Sequence, residues 1–187
     1  MATRVQLISL VAVPLALAGC GSTAATAPSV AATPEQSVTG AAPPQQDSPA
    51  AAQLPCSDAV RGQVQETLGL DSVPTPESAW ADNRHTCTYE TPMGPLVLSV
   101  TVEATDAAAR DHLETLRTEF RATNPVSGQQ EAYKNGTGVV VALMDNLVLS
   151  VNASALPPEH LGPDHQSETG VAIILATGVL SGWAGQN

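Results

Sequence analysis

The side chains of this 187-residue chain with the widest range of possible chemistry are its three cysteines and four histidines. Cys20 stands near the N-terminus, and Cys56 and Cys87 lie farther along. A thiol can be acylated, oxidised to a disulfide or bound to a metal ion. Which of these reactions applies depends on the neighbours of each cysteine and on the compartment in which the chain works.

Cys20 follows Leu17, Ala18 and Gly19, a leucine and two small residues directly before a cysteine. This run resembles the lipobox of bacterial lipoproteins, at which a signal peptidase cleaves and the cysteine thiol takes a diacylglyceryl group. The resemblance implies cleavage between Gly19 and Cys20 and acylation, for example by palmitate, at Cys20. Two or three acyl chains on one residue anchor a protein stably, whereas one chain binds only weakly.

The residues before this motif have the pattern of a signal peptide. Arg4 supplies one positive charge, and the run from Val5 to Leu17 is largely apolar. That run is too short for a hydrocarbon core, which needs about 20 residues, but it has the length of a signal-peptide core. Residues 1–19 are therefore predicted to be a lipoprotein signal peptide. The alternative is an ordinary secretory signal followed by an incidental cysteine.

Residues 20–55 have the composition of a tether. The segment is rich in Ala, Pro, Ser, Thr and Gln, and Glu35 and Asp47 are its only charged residues. Without apolar periodicity such a chain cannot bury enough surface to offset the entropy of ordering it. It is predicted to be a lipidated N-terminus and an intrinsically disordered linker, which would hold the domain of residues 56–187 outside the membrane.

Cys56 and Cys87 form an even pair in the exported domain once Cys20 is committed to lipid. Outside the cytoplasm such a pair is typical of a disulfide. A redox-active pair and a pair of metal thiolates are the alternatives. Cys-x-x-Cys spacing is absent, although His85 lies two residues before Cys87.

The loop from Pro158 to Glu168 places His160 and His165 among three carboxylates. Imidazole and carboxylate groups can bind a divalent metal, so these two histidines are weak candidate ligands. Loop histidines are more often solvated, and Asp164 or Ser167 can cap the helix that follows. No metal and no other cofactor is therefore predicted.

The familiar catalytic motifs do not occur in the chain. Gly-x-Ser-x-Gly, His-Glu-x-x-His and Ser-x-x-Lys are all missing. Gly136-Thr137-Gly138 resembles the start of a dinucleotide fingerprint, but Val141 stands where the third glycine is needed. No catalytic residue is predicted, and a non-enzymatic role is favoured.

The formal net charge of −11, with seven basic residues, argues against nucleic acid as a partner, because phosphate binding needs clusters of Lys and Arg. An acidic domain is also repelled by anionic lipid headgroups. Attachment to the membrane is therefore expected through Cys20 and not through the surface of the domain.

The elements that position these residues follow from periodicity. Helices are predicted at 58–68, 106–121 and 167–184, with Ser57 as a cap of the first. Strands are predicted at 84–90, 96–103, 130–134, 139–144 and 147–153, and Trp80 falls in a loop over 71–83. In the last hairpin, Val139, Val141 and Leu143 are expected to meet Leu147, Leu149 and Val151.

The resulting order, α-β-β-α-β-β-β-α, predicts the α+β class. We expect a two-layer sandwich: a curved antiparallel sheet of four or five strands, with helices mainly on one face.

Several features together resemble small actinobacterial cell-surface lipoproteins of unknown function. They are the lipobox, the Ala/Thr/Pro-rich tether, Pro55-Cys56-Ser57 before a helix, and Cys87-Thr88-Tyr89 before an alternating strand. The resemblance implies a lipid-anchored domain on the outer side of the cell membrane. We expect a binding or accessory module for a protein, glycan or lipid of the cell envelope. The alternatives are a hydrolase or a small-molecule carrier whose functional residues come from loops.

Overall fold

Seven strands form one antiparallel sheet in the computed structural model, which describes residues 48–185. In chain order they are β1 Glu77–Ala81, β2 Arg84–Thr91, β3 Gly94–Val102, β4 Asn124–Pro125, β5 Ala132–Lys134, β6 Val139–Met144 and β7 Leu147–Asn152. Their order across the sheet is β1-β2-β3-β7-β6-β5-β4, and every neighbouring pair is antiparallel. The predicted signal peptide, Cys20 and residues 20–47 of the predicted tether lie outside the described residues.

Helices surround the sheet, and the α+β class is confirmed. They are a single turn α1 Ala50–Gln53, a 3₁₀ turn Leu54–Cys56, and the longer helices α2 Asp58–Leu68, α3 Asp106–Phe120 and α4 Glu168–Ala184. Ser57 caps α2, since its hydroxyl accepts a hydrogen bond from the Val60 N–H at 3.4 Å. Gly69 ends α2 with a φ of 64°, a left-handed conformation that glycine adopts without strain. In the described part of the chain no helix combines the length and apolarity needed to cross a membrane.

The predicted strand count and order are wrong, because the sheet has two further strands, β1 and β4, in segments where no strand is predicted. β1 was missed because its side chains are mostly exposed and show no apolar alternation. β4 has only two residues, too few for any period. β1 is joined to β2 by Asp82 and Asn83, whose φ angles of 52° and 58° suit a tight hairpin turn.

The helices cover both faces of the sheet, so the predicted two-layer arrangement is also corrected. Side chains of α2 and α4 share the larger core with one face of the sheet. Ala109 and Leu113 of α3 pack against Val139, Val141 and Leu143 of β6 on the other face. β6 is therefore buried on both faces, which explains its continuous run of apolar residues.

The last hairpin pairs one residue out of the predicted alignment. The two-residue turn Asp145-Asn146 places Met144 opposite Leu147, and Val140 opposite Val151. Val141 consequently faces Ser150. Because side chains alternate along a strand, this offset assigns the two apolar rows of β6 to different cores.

The folded unit begins before Cys56, earlier than the predicted tether boundary at residue 55. Ala52 in α1 is fully buried in the larger core. The Trp183 indole N–H donates to the Ala51 carbonyl at 2.8 Å, and the Tyr89 hydroxyl donates to the Pro55 carbonyl at 2.5 Å. Small alanine side chains allow this close packing, which a count of apolar periodicity does not detect.

Candidate functional site

His85 is the chemically most versatile side chain buried in the described domain. It lies in β2, where alternate residues turn inward, and it shares the buried face of that strand with Cys87 and Tyr89. Only 6% of His85 is exposed to solvent. The alternation of side chains along a strand accounts for this shared face, and the other neighbours of His85 come from other elements.

Two serine hydroxyls hold the His85 ring from opposite sides. Ser48 Oγ lies 2.7 Å from Nδ1, and Ser78 Oγ lies 2.8 Å from Nε2. Ser48 comes from the segment before α1, whereas Ser78 comes from β1. The pairing of Trp80 with His85 in the β1–β2 ladder brings Ser78 into reach. Three segments that are distant in sequence therefore meet at one imidazole.

One assignment of hydrogens satisfies all of these groups. Ser78 Oγ–H donates to Nε2, Nδ1–H donates to Ser48 Oγ, and Ser48 Oγ–H donates to the Pro49 carbonyl at 3.5 Å. In this arrangement the imidazole is neutral and its Nε2 carries the lone pair. The opposite assignment, in which Ser48 donates to Nδ1 and Nε2–H donates to Ser78 Oγ, makes the same two ring contacts, so the hydroxyls fix the orientation of the ring and not its tautomer.

Burial lowers the pKa of His85 below its ordinary value of 6.5, because desolvation disfavours the charged imidazolium. Both hydrogen-bond partners are neutral hydroxyls, so neither compensates for that loss of hydration. His85 is therefore neutral at neutral pH.

The predicted disulfide between Cys56 and Cys87 is present and lies against the same ring. His85 Nε2 is 3.5 Å from Cys56 Sγ. The two sulfurs and a ring nitrogen all lie within 4.8 Å of one another, and no other set of three such ligands was found at that spacing in residues 48–185. Cys87 is fully buried, whereas Cys56 is partly exposed.

A cavity of about 340 Å³ opens above these groups. That volume is at the lower end of the range of small-molecule sites, about 300–1,000 Å³. Its walls combine apolar groups with four polar side chains and the disulfide; the lining residues are Ala50, Gln53, Leu54, Cys56, Ser57, Ser78 and His85. One wall therefore comes from the first described residues of the domain, where the predicted tether ends.

The predicted site residues fall into three groups. Leu17, Ala18, Gly19 and Cys20 lie outside the described residues. Cys56 and Cys87 are brought together in the disulfide.

His160 and His165, the weak metal candidates, stack edge to face with ring centroids 5.8 Å apart. His160 Nε2 also lies 3.7 Å from a Glu159 carboxylate oxygen, with both side chains largely exposed. His160 and His165 are not part of a three-ligand group in the described residues.

Ser48, Ser78 and His85 were missed as site residues. For His85 a signal existed, because it stands two residues from Cys87 on one strand face and so must lie beside the disulfide. Ser48 and Ser78 gave no signal, since the first lies in a segment predicted to be disordered and the second in a strand predicted to be a loop.

Large hydrophobic side chains are rarely exposed on the rest of the described surface. Val73, which is 45% exposed, is the one large hydrophobic residue found exposed within residues 48–185. Trp80 is half-buried and packs against the larger core, with its ring centroid 6.3 Å from that of His85. The ring therefore partly covers the core, and its edge lies beside the site.

Comparison of the chain with protein-family models, with curated proteins and with solved structures finds no match.

Proposed function

We propose that this chain is a lipid-anchored protein of the outer side of the cell membrane, and that its α+β domain is a non-enzymatic binding module with its ligand site at the His85 cavity. The ligand class is an amphiphilic molecule of the cell envelope, such as a lipid or a lipid-linked glycan. The anchor is inferred from Leu17 to Cys20, and the ligand class from the lining of the cavity.

The observation that carries this proposal is the convergence of polar groups in a mainly apolar cavity. Ser78 and the buried His85 supply hydrogen-bonding groups at its base, while Ala50 and Leu54 supply apolar wall. A ligand with an apolar body and a small polar head matches that distribution. A large protein partner is less favoured, because the described surface lacks an extended exposed apolar patch.

The position of the cavity supports an envelope ligand. Ser48 and Ala50 belong to the segment that connects the domain to the predicted tether. If Cys20 is lipidated, the tether joins the domain beside the cavity, at a distance from the membrane set by about 30 residues of chain. A flexible chain of that length has a reach of about 30 Å, which keeps the cavity close to membrane-associated ligands.

Site-specific photocrosslinking in intact cells tests the ligand site. A photoreactive amino acid at Ala50, which is exposed and lines the cavity, is expected to capture a lipid or glycolipid. The matched control places the same group at Ala107, an exposed alanine on α3 across the sheet. Equal capture at both positions, or none at Ala50, would contradict a ligand site in this cavity.

The anchor has a separate test. Replacing Cys20 with Ala is expected to move the protein from the membrane fraction to the soluble fraction, because the acylated thiol is lost. Cys56→Ala/Cys87→Ala is the control, since it removes cysteines without touching the proposed anchor. Continued membrane retention of the Cys20→Ala chain would show that the attachment lies elsewhere.

One observation favours a second candidate function, that of an acyl hydrolase. Ser78 Oγ lies 2.8 Å from Nε2 of a neutral His85, and Ser48 contacts Nδ1. Such a pair allows His85 to take the proton of Ser78 as its oxygen attacks an acyl carbon, and then to protonate the leaving group. In the second half of the reaction, His85 would take a proton from water as the water attacks the acyl-serine. It would then return that proton to the Ser78 oxygen as the acid leaves.

Labelling with a fluorophosphonate probe distinguishes the two candidates. An acyl hydrolase is expected to be labelled at Ser78, and labelling is expected to vanish in Ser78→Ala but persist in Ser72→Ala. Ser72 is an exposed serine in the loop before β1 and is the matched control. If the wild-type chain takes up no label, the result contradicts the acyl hydrolase, and the binding module remains the proposal.

A further inference from the structure

We propose that reduction of the Cys56–Cys87 disulfide creates a metal site in which both thiolates and the His85 imidazole bind one Zn²⁺ ion or a similar borderline or soft cation. The three ligand atoms already lie within 4.8 Å of one another. Thiolate and imidazole are the ligands that such cations prefer. The site requires neither the lipid anchor nor an organic ligand in the cavity.

The spacing of the ligand atoms is close to that of a zinc site. With Zn–S distances of about 2.3 Å and Zn–N distances of about 2.0 Å, tetrahedral ligands lie about 3.5 to 3.8 Å apart. His85 Nε2 is already 3.5 Å from Cys56 Sγ. The two sulfurs must separate and Ser78 must release Nε2. Cys56, which is half-buried and lines the cavity, has space to move.

The groups around the three ligands also suit a metal ion. Ser48 Oγ can accept the Nδ1–H hydrogen bond of the tautomer in which Nε2 offers its lone pair, which is the part that a hydrogen-bond partner of a metal-bound histidine plays. The cavity beside Ser78 leaves room for water or a hydroxyl as a fourth ligand. The two negative charges of the thiolates, with a neutral imidazole, balance the charge of a divalent ion, which lowers the cost of burying it.

The reductant is an external dithiol. Its thiolate attacks Cys56 Sγ, the partly exposed sulfur, and displaces Cys87 as a thiolate that takes a proton. The second thiol of the reductant then attacks its own sulfur in the mixed disulfide and releases Cys56, so that the dithiol ends as a disulfide. Binding of a divalent cation to the two new thiols releases two protons.

Titration of the full-length chain in detergent with Co²⁺, a spectroscopic probe for zinc sites, tests the proposal. A phosphine reductant is used because it does not compete for the metal through thiols. The reduced chain is expected to bind one equivalent of Co²⁺ with thiolate-to-cobalt charge-transfer absorption, which Zn²⁺ then abolishes. The oxidised chain is expected to give no such absorption. Equal signals from both forms would overturn the proposal.

Matched histidine variants identify the nitrogen ligand. His85→Gln is expected to weaken Co²⁺ binding to the reduced chain by at least about tenfold. His160→Gln, which removes an exposed histidine, is expected to leave the affinity unchanged. Unchanged affinity in His85→Gln would overturn the three-ligand site.

Circular dichroism of the reduced chain covers the case in which reduction unfolds the domain. Metal binding to a site that exists only in the folded state drives folding. Added Zn²⁺ is then expected to restore the spectrum of the oxidised chain. A reduced chain that unfolds and stays unfolded at saturating Zn²⁺ would also overturn the proposal.

Discussion

Trp183 near the end of α4 donates its indole N–H to the carbonyl oxygen of Ala51 in α1, 132 residues earlier in the chain. This bond ties the last helix to the first turn of the folded unit. Trp183 is almost fully buried, with 3% of it exposed, so its side chain also fills the core beneath α1. The position of the cavity wall at Ala50 depends on this contact.

Trp183→Phe is expected to lower the free energy of unfolding by about 1–2 kcal/mol. The aromatic ring keeps part of the packing, but the Ala51 carbonyl loses its donor. Urea denaturation of the full-length chain, followed by circular dichroism, measures the difference. Trp80→Phe is the control, because no hydrogen bond of the Trp80 indole was found in the described part of the chain. Equal losses in both variants would show that packing, and not the hydrogen bond, holds α1.

Replacing both cysteines of the disulfide, Cys56→Ala/Cys87→Ala, is expected to lower the free energy of unfolding by about 3–4 kcal/mol. The bond closes a loop between residues 31 positions apart, and its loss enlarges the unfolded ensemble. The double variant avoids a free thiol that would complicate the measurement. A loss below about 1 kcal/mol would mean that the unfolded chain is already restricted in this region.

His85 is expected to make the fold less stable as the pH falls below 6.5. Burial lowers its pKa in the folded state, so the unfolded chain binds more protons in the window from 6.5 down to the folded-state value. The free energy of unfolding therefore rises with pH across that window. Urea denaturation between pH 7.5 and 5 should show a smaller pH slope for His85→Gln than for wild type.

The control for the pH dependence is His160→Gln, which also removes one imidazole but from an exposed position. It is expected to keep the wild-type difference between pH 7.5 and pH 5. If His85→Gln and His160→Gln changed the slope equally, the buried histidine would not be its source.

Gly162→Ala is expected to lower the free energy of unfolding by about 2 kcal/mol or more. The residue has a φ of +65°, and an added Cβ would overlap the Thr67 carbonyl oxygen at the end of α2. Gly62→Ala within α2 is the matched control. Its Cβ meets nothing within 4 Å, so the change should stabilise the helix by about 0.5–1 kcal/mol. Thermal or urea denaturation that ranked the two variants alike would contradict this account.

The parts of the fold that local chemistry determines were predicted from the sequence. The bounds of α2 follow from Ser57 and Gly69, which cap it by a side-chain hydrogen bond and a left-handed φ. His85 and Cys87 share one buried face of β2 because side chains alternate along a strand. These features depend on residues only a few positions apart, where the pattern and its physical cause lie in the same segment.

The features that depend on distant partners were not predicted. β1 forms because β2 offers it a hydrogen-bonding edge, and its exposed residues carry no apolar period. The face on which α3 packs is decided by the path of the chain after β3 and not by the apolar stripe of the helix. The run Val139–Leu143 did hold a usable signal, since a strand without alternation indicates cover on both faces.

In the candidate site, too, the contacts between residues close in sequence could be predicted, whereas those between distant residues could not. The neighbourhood of His85 and Cys87 is implied by their spacing of two on a strand. Ser48 and Ser78 approach His85 because α1 folds onto the core and β1 pairs with β2. No pattern in the local sequence of either segment indicates these contacts. The cavity exists only where these long-range contacts meet.

The packing of residues 48–56 against the core also determines how the domain would respond to a pulling force. If the chain is held to the membrane through Cys20, any pull on the domain is applied at Ser48, the start of the described fold. That load would first separate α1 from Trp183 and then the 3₁₀ turn from Tyr89. It would open the wall of the cavity while the sheet stays intact. The covalent bond between Cys56 and Cys87 would then stop further unfolding. Under force, the disulfide would therefore confine the unfolding to the residues before Cys56.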